Sequence, residues 1–297
     1  MVKVSIIVPV LNGGLQTKKC IESLINQDFP KDQYEIIIVD NGSNDNTMSI
    51  LSDYKEYINV LVEPEKGSYA ARNKGINISK GEIIAFTDAD CIANKNWLKE
   101  LCIGIRDKDI GCVVGSIAAY PGKTLVEIYS KNRDVLSQKI TLDSKFLPYG
   151  QTANVAFRKD VLEKIGNFDN TLYTGGDADI AWRMQLMTTY KLIYRPEANV
   201  EHHHRTSIKK LFMQYFNYGI GNVLLFKKYS KTMKYNAGGS VLDWLKLGLA
   251  EFFTSIDKLI QNPSRYSILE PFLLLTCTVA LRAGRLYGSL KFKSFYI

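Results

Sequence analysis

Residues 81–91 read GEIIAFTDADC, an apolar run of strand length ending on two carboxylates, Asp88 and Asp90, two positions apart. Along a strand, residues i and i+2 face the same way, so the two acids would repel each other unless something positive sits between them. A plainer reading makes the pair a solvated turn that caps a helix over ANKNWLKELCIGI. The preceding chain bears on the choice. VSIIVPV, YEIIIVD and INVLVEP are further runs of strand length, and TKKCIESLINQ, TMSILSDYKEY and SYAARNKGINIS between them have helical spacing. Such alternation predicts an α/β fold, a mainly parallel, Rossmann-like sheet flanked by helices. Ligands then bind beyond the carboxyl ends of the strands. Asn12, Asp40, Glu63 and Asp88 all fall at those ends, which groups four polar side chains around one crevice.

The chain has 297 residues, 46% apolar and 23% charged, a globular composition with enough apolar residues for a sizeable core. Its five cysteines are odd in number and form no Cys-x-x-Cys pair. That argues against a disulfide framework or a zinc site and fits a reducing cytoplasm. The start, MVKVSIIVPVLNGG, is broken by Pro9 and Asn12. It is expected to be a first strand rather than a signal peptide or membrane span. The net charge of +8 is uneven. Residues 1–204 carry 24 Lys/Arg and 26 Asp/Glu, whereas 205–297 carry 14 and 4, a net +10. The last third is therefore expected to face something anionic. No nucleic-acid recognition motif accompanies the charge, and nucleic acid is not expected as a partner.

After about residue 110 the alternation loosens. GCVVGSIAAY and LPYGQTANVAFRKDVL contain strand-like pieces, and NTLYTGGDADIAWRMQLM passes from a Gly-Gly loop into a helix. Two segments, 206–226 and 241–260, carry broad apolar faces at helical spacing, with a linker expected over 227–240. The apolar run 268–281 contains Glu270 and Pro271 and stops at Arg282, short of the roughly 20 residues that cross a bilayer. The expected division is a nucleotide-binding and catalytic domain over 1–205 and a basic, amphipathic helical region over 206–297. That C-terminal extension either packs as a module with a solvated lysine face or attaches in the plane of an anionic membrane.

The first strand-to-helix turn, PVLNGGLQTK, lacks Gly-x-Gly-x-x-Gly, and the chain has no Gly-x-x-x-x-Gly-Lys-Ser/Thr loop. A phosphorylated ligand in this crevice would need a cation, for which Asp88 and Asp90 supply hard oxygen donors to Mg2+ or Mn2+. SIIVPVLNGG, IIIVDNGSNDNT, GSYAARNKGI, FTDADC and GGDADIAWRM occur in that order. In this the sequence resembles the inverting family-2 glycosyltransferases of GT-A fold, over roughly residues 3–220.

The resemblance implies roles for particular residues. Pro9 and Asn12 would line the nucleoside pocket, Asp40 would contact the base or ribose, and Arg72 would lie near the nucleotide. Asp88 and Asp90 would form the metal-binding pair, with Asp90 as direct ligand and Asp88 nearer the ribose. Asp177 would be the catalytic base. Two positions depart from the family pattern: Gly176 stands where a glutamate is usual, and Asn41 where a second aspartate is usual. In the family a histidine after a Pro-x-Ala-x-Val strand often completes the metal or diphosphate site, which points to His202, with His204 next if the strand continues. For Asp177 the plainer reading is a helix N-cap, and the two roles can coexist.

The implied activity is metal-dependent, inverting transfer of a sugar from a nucleotide-diphosphate sugar, a UDP-sugar first, to a sugar or lipid-linked acceptor. Surface polysaccharide or glycolipid synthesis is the expected setting, on the cytoplasmic face of the cell membrane. The rival reading is a non-catalytic sugar-nucleotide-binding or scaffolding protein on the same fold, favoured by Gly176. Nucleotidyl transfer is weaker, since no basic triphosphate loop is visible.

Overall fold

The computed structural model describes residues 2–231, 250, 253–254, 256–257, 259–261 and 263–296. Most of the helix expected over 241–260 and of the linker expected over 227–240 lies outside them. Two compact units are present. The first comprises Met1–Tyr120, Leu136–Thr171 and Gly176–His202; the second comprises Pro121–Val135, Leu172–Gly175 and His203–Ile297. The second unit thus draws two earlier segments of the chain to the residues that follow His202.

The first unit holds the sheet. Strands β1 (Val4–Val10), β2 (Tyr34–Asp40), β3 (Asn59–Val62) and β4 (Ile83–Thr87) run parallel in the order β3-β2-β1-β4. Helices α1 (Gly14–Ile25), α2 (Thr47–Asp53) and α3 (Ser68–Ile78) connect them. The near-continuous apolar runs form strands because helices cover both faces: Ile6, Ile7, Ile37 and Ile38 are all fully buried. Strand β5 (Cys91–Ala93) and helix α4 (Trp97–Gly104) follow, then β6 (Ile110–Ala119).

Beyond β4 the sheet changes direction. After the short helix α6 (Gln138–Leu142), strand β7 (Asn154–Arg158) inserts antiparallel to both β4 and β6. Helices α7 (Lys159–Ile165) and α8 (Gly176–Met187) lead to β8 (Lys191–His202), which runs parallel to β6 and pairs antiparallel with β5. The result is a mixed sheet of eight strands whose first half is wholly parallel. Two reversals at β7 restore β6 and β8 to the direction of β4. The carboxyl ends of β1, β2, β4 and β8 therefore share one edge with the amino end of β7. Asn154, fully buried, holds this junction: its Nδ2 donates to the carbonyls of Ser116 (2.7 Å) and Ala198 (2.8 Å), and its Oδ1 accepts from Trp97 Nε1 (2.7 Å).

The second unit is helical, with α5 (Leu125–Asn132), α9 (Ile208–Tyr229) and α10 (Arg265–Phe292). Thr124 and Glu127 close the start of α5 in a reciprocal capping box. Val126, Tyr129, Leu211, Leu273 and Cys277 form a small core among the three helices. Gly219 of α9 meets the backbone of α10 at Leu281 and Arg285, and Gly284 of α10 meets the backbone of Phe216, so a Cβ at either glycine would overlap main chain. The apolar run expected to be too short to cross a bilayer is the middle of a 28-residue helix. Pro271 lies in its second turn, and Arg282 and Arg285 continue it rather than stop it. Among the described residues α10 alone is long and apolar enough to cross a membrane by length and composition, and 44% of its most apolar window is buried within the fold.

Candidate active site

Asp88 and Asp90 do not lie on a strand. β4 ends at Thr87, and a tight turn follows, closed by the Cys91 N–H donating to the Asp88 carbonyl (3.0 Å). The shared-face geometry expected of a strand is thus replaced by a turn, and neither acid caps α4, whose N-cap is Asn96. Each carboxylate has its own partner. Arg72 Nη2 donates to Asp88 Oδ1 at 2.5 Å, and His202 Nε2 lies 3.2 Å from Asp90 Oδ1. The Arg72 side chain is 4% exposed. Its guanidinium lies over the rings of Tyr69 (5.8 Å) and Phe168 (6.0 Å), which orient it toward Asp88.

His202 is the last residue of β8 and is paired in register with Cys91 on β5, immediately after Asp90. Asp90, Cys91 and His202 bring one ligand atom each to within 4.8 Å of one another. Carboxylate oxygen and imidazole nitrogen suit a divalent cation of the Mn2+ type. Burial, then the charges of Asp90 and Asp88, push the Cys91 thiol well above its usual range. Asp90 and His202 offer donors that fit such a cation, with Cys91 beside them, while Asp88 is engaged by Arg72.

Asp40, the last residue of β2, is 3% exposed. Its Oδ2 accepts from the N–H groups of Gly42 and Ser43 (both 3.1 Å), whereas its buried Oδ1 has no hydrogen-bond partner among the described residues. A buried, unpaired carboxylate oxygen is costly unless a ligand supplies a donor. Asn12 adopts a left-handed conformation (φ 53°) and links two loops: its N–H donates to Ser43 Oγ (2.9 Å) and its Oδ1 accepts from the Asn44 N–H (2.8 Å). Pro9 lies opposite Val39, two residues beyond the last β1–β4 pair at Ile7 and Phe86, where its missing N–H leaves no sheet bond unmade. Asn41 has a structural task that an aspartate could not perform. Its Nδ2 donates to the carbonyls of Glu63 (2.9 Å) and Glu65 (2.7 Å) while its Oδ1 accepts from the Gly67 N–H (2.7 Å).

Asp177 stands in the first turn of α8, after Gly176, and so lies inside the helix rather than at its cap. Thr152, just before β7, donates its Oγ1–H (3.1 Å) and N–H (3.4 Å) to the carboxylate. Burial raises the Asp177 carboxyl above the usual aspartate range; the Arg72 charge opposes that rise and the Asp88 charge adds to it. Two positions on, the fully buried Asp179 accepts from Arg183 Nε (2.9 Å). Arg183 also donates to the carbonyls of Ile165, Gly166 and Asn167, which fixes α8 against the end of α7.

One edge of the sheet thus brings together Asp40, Asp88, Asp90, His202 and Asp177, with Arg72 against Asp88. β8 ends at His202, so the strand expected to carry His204 on the same face does not continue; His203 and His204 belong to the second unit. Thr152 and Tyr69 were not singled out in the sequence. Tyr69 lies within a recognisable motif, but its significance depends on Gly176, more than a hundred residues later.

A mixed α/β sheet that presents acidic residues and a histidine along one strand edge is a site suited to a cation and a polar ligand. Residues 5–166 match Glycosyl transferase family 2, and the chain belongs to that family. It is 37% identical over 180 residues to glycosyltransferase AglE of Haloferax volcanii, covering 59% of this chain and 58% of that protein. It is 26% identical over 259 residues to the pre-mycofactocin glycosyltransferase of Mycobacterium tuberculosis, covering 83% of this chain and 53% of that one. The chain therefore spans little more than half the length of these relatives. The mannosyltransferase PcManGT of Pyrobaculum calidifontis, in complex with GDP-Man and Mn2+, superposes with a TM-score of 0.60 at 22% identity, over 97% of this chain and 76% of that one. S. aureus TarS 1-349 in complex with UDP-GlcNAc gives 0.53 at 18% identity, over 99% and 93%. Both show the GT-A-like fold.

Proposed function

We propose that the chain is a metal-dependent, inverting glycosyltransferase that moves a sugar from a nucleotide-diphosphate sugar to a hydroxyl acceptor. The observation that carries this reading is the convergence of the Asp90–His202 donor set and the raised Asp177 carboxylate on one strand edge, with Arg72 between them in electrostatic reach of both Asp88 and Asp177. The unpaired oxygen of Asp40 accepts from the nucleobase or ribose, and Pro9 and Asn12 shape the loop beside it. Asp90 and His202 would hold a divalent cation, Mg2+ or Mn2+, which would supply charge stabilisation for the departing diphosphate. The acceptor hydroxyl attacks the anomeric carbon from the face opposite the leaving group and gives its proton to Asp177. The bond from that carbon to the diphosphate oxygen breaks, with its electron pair leaving on the nucleoside diphosphate.

The solved neighbours hold GDP-Man or UDP-GlcNAc, which supports a nucleotide-sugar donor, and a UDP-sugar is the first to test. The test is nucleoside diphosphate release from a panel of UDP- and GDP-sugars with Mn2+ or Mg2+, against a chelated control. Release that depends on acceptor and metal is expected; tight donor binding without turnover on any acceptor would favour the non-catalytic reading.

For the second unit we propose peripheral attachment to the cytoplasmic face of an anionic membrane, near a lipid-linked acceptor. Ile268, Phe272, Leu275, Val279, Leu286 and Leu290 form an exposed apolar stripe along α10, within a region of net +10 charge. Apolar insertion and charge attraction would act together there. Co-sedimentation with phosphatidylglycerol vesicles at low salt, partly reversed by high salt and much reduced by truncation near residue 240, is the expected result. Absence of binding to any vesicle would leave the helices as a packing module.

A further inference from the structure

We infer that Tyr69 positions Asp177, and that Gly176 is a glycine because the Tyr69 phenol occupies the space its side chain would fill. A Cβ built on Gly176 would lie 2.6 to 2.9 Å from three atoms of the Tyr69 ring, closer than real Cβ atoms come to aromatic carbons. The contact is polar as well as steric. The Gly176 N–H, at the start of α8, donates to the Tyr69 hydroxyl at 2.8 Å. Burial raises the phenol above its usual range, and the Asp177 carboxylate lies near enough to raise it further. One phenol therefore holds the backbone immediately before Asp177, and Thr152 holds the carboxylate itself.

The phenol is itself fixed. Tyr69 is 7% exposed, and its ring stacks on Phe168 with centroids 5.4 Å apart and planes 11° from parallel. One helical turn later on α3, Arg72 crosses the same two rings and reaches Asp88. A single face of α3 thus sets both the Asp88 contact, through Arg72, and the placement of Asp177, through Tyr69. The charged and titratable groups facing Asp177 are Tyr69 and Arg72 from α3 and Asp88 from the turn after β4; Thr152 faces it from before β7. Among these, Thr152 contributes the neutral donors.

The inference rests on Asp177 acting as the base, and its test separates the two ideas. Tyr69→Phe keeps the ring and its stacking but removes the hydroxyl. The Asp177 carboxyl, followed by 13C NMR in wild type and Tyr69→Phe, should titrate at a different pH in the variant, because the turn that carries it loses its anchor at the Gly176 N–H. In parallel, kcat should fall about 3- to 10-fold, the equivalent of one neutral hydrogen bond, with the donor KM within about twofold. In an Asp177→Asn background the same change should add little, since the two residues act as a unit. An unshifted Asp177 titration, or a full and independent loss in the Asp177→Asn background, would overturn the role of Tyr69. A shifted titration together with an active Asp177→Asn enzyme would leave the Tyr69 contact standing and remove Asp177 as the base. As a steric control, Gly176→Ala should be strongly impaired alone and improved when combined with Tyr69→Ala; no improvement would mean that the ring is not what excludes a side chain at 176.

Discussion

The turn after β4 and the first turn of α8 present carboxylates on the same edge of the sheet, but they hold them in different ways. Asp88 meets a guanidinium and Asp90 an imidazole, at 2.5 and 3.2 Å. Asp177 meets neutral donors, the Thr152 hydroxyl and N–H, and burial lifts its carboxyl above the ordinary range against the pull of the Arg72 charge. Arg72 gives Asp88 a fixed countercharge, and Asp90 with His202 presents donor atoms that suit a cation. Neutral donors orient a carboxylate while leaving it basic enough to take a proton. The contrast divides the edge into a charge-binding half and a proton-accepting half.

The most severe break in that contrast is Asp90→Ala. It removes a cation donor and the partner of His202 without removing core volume, so turnover should fall to background and nucleotide binding should lose its metal dependence. Calorimetric titration with Mn2+ present and absent checks this, and undiminished turnover would end the assignment. Asp177→Asn is nearly isosteric and should cost about 10²–10⁴ in kcat, with donor affinity little changed when measured by equilibrium binding. Near-normal transfer to a saturating acceptor would place the base elsewhere.

The pH profile tests the same division more finely. Only ionised Asp177 accepts a proton, and its folded carboxyl is raised by burial. Activity should therefore decline as pH falls through that raised value. The acid limb of kcat/KM is expected above the ordinary aspartate pKa of about 3.9; a limb at or below it would contradict the reading. The smallest effect is expected from Thr152→Val, which deletes one hydroxyl donor but keeps the backbone N–H. A loss of about 3- to 10-fold in kcat is expected, at or below the low end for a hydrogen bond to a charged group because the N–H still donates, and steady-state kinetics at saturating donor would detect it.

The parallel half of the fold was open to reading because each of its strands is a separate apolar run bounded by polar residues. VSIIVPV and YEIIIVD became β1 and β2 with the ends the sequence implied. The antiparallel insertion of β7 between β4 and β6 leaves no local mark, since strand order depends on which distant edge is free to pair. The aspartate pair was legible as a residue pattern, and a turn there was the plainer of two readings. Nothing local chose between them, because three residues of β5 are too short for their pairing with β8 to appear in a hydropathy pattern. Tyr69 and Gly176 become meaningful only as a pair, and their contact spans 107 positions. The full length of α10 was hidden by Pro271, which a helix tolerates in its second turn, and by arginines within an otherwise apolar segment.

The register between β5 and β8 carries a consequence for dynamics. Cys91 pairs with His202 across a ladder only three residues long, at the outer edge of the sheet. Short edge strands open readily, and their amides exchange with solvent at correspondingly low cost. Asp90 and His202 keep their separation only while that ladder is closed. Any cation they share binds the closed form alone and lowers the population of open molecules by mass action. The Ile92 amide would then act as the reporter, since the Cys91 and Ala93 N–H groups donate to the Asp88 carbonyl and to Ser23 Oγ rather than to β8. Added Mn2+ would be read out as its slowed deuterium uptake before any sugar is transferred.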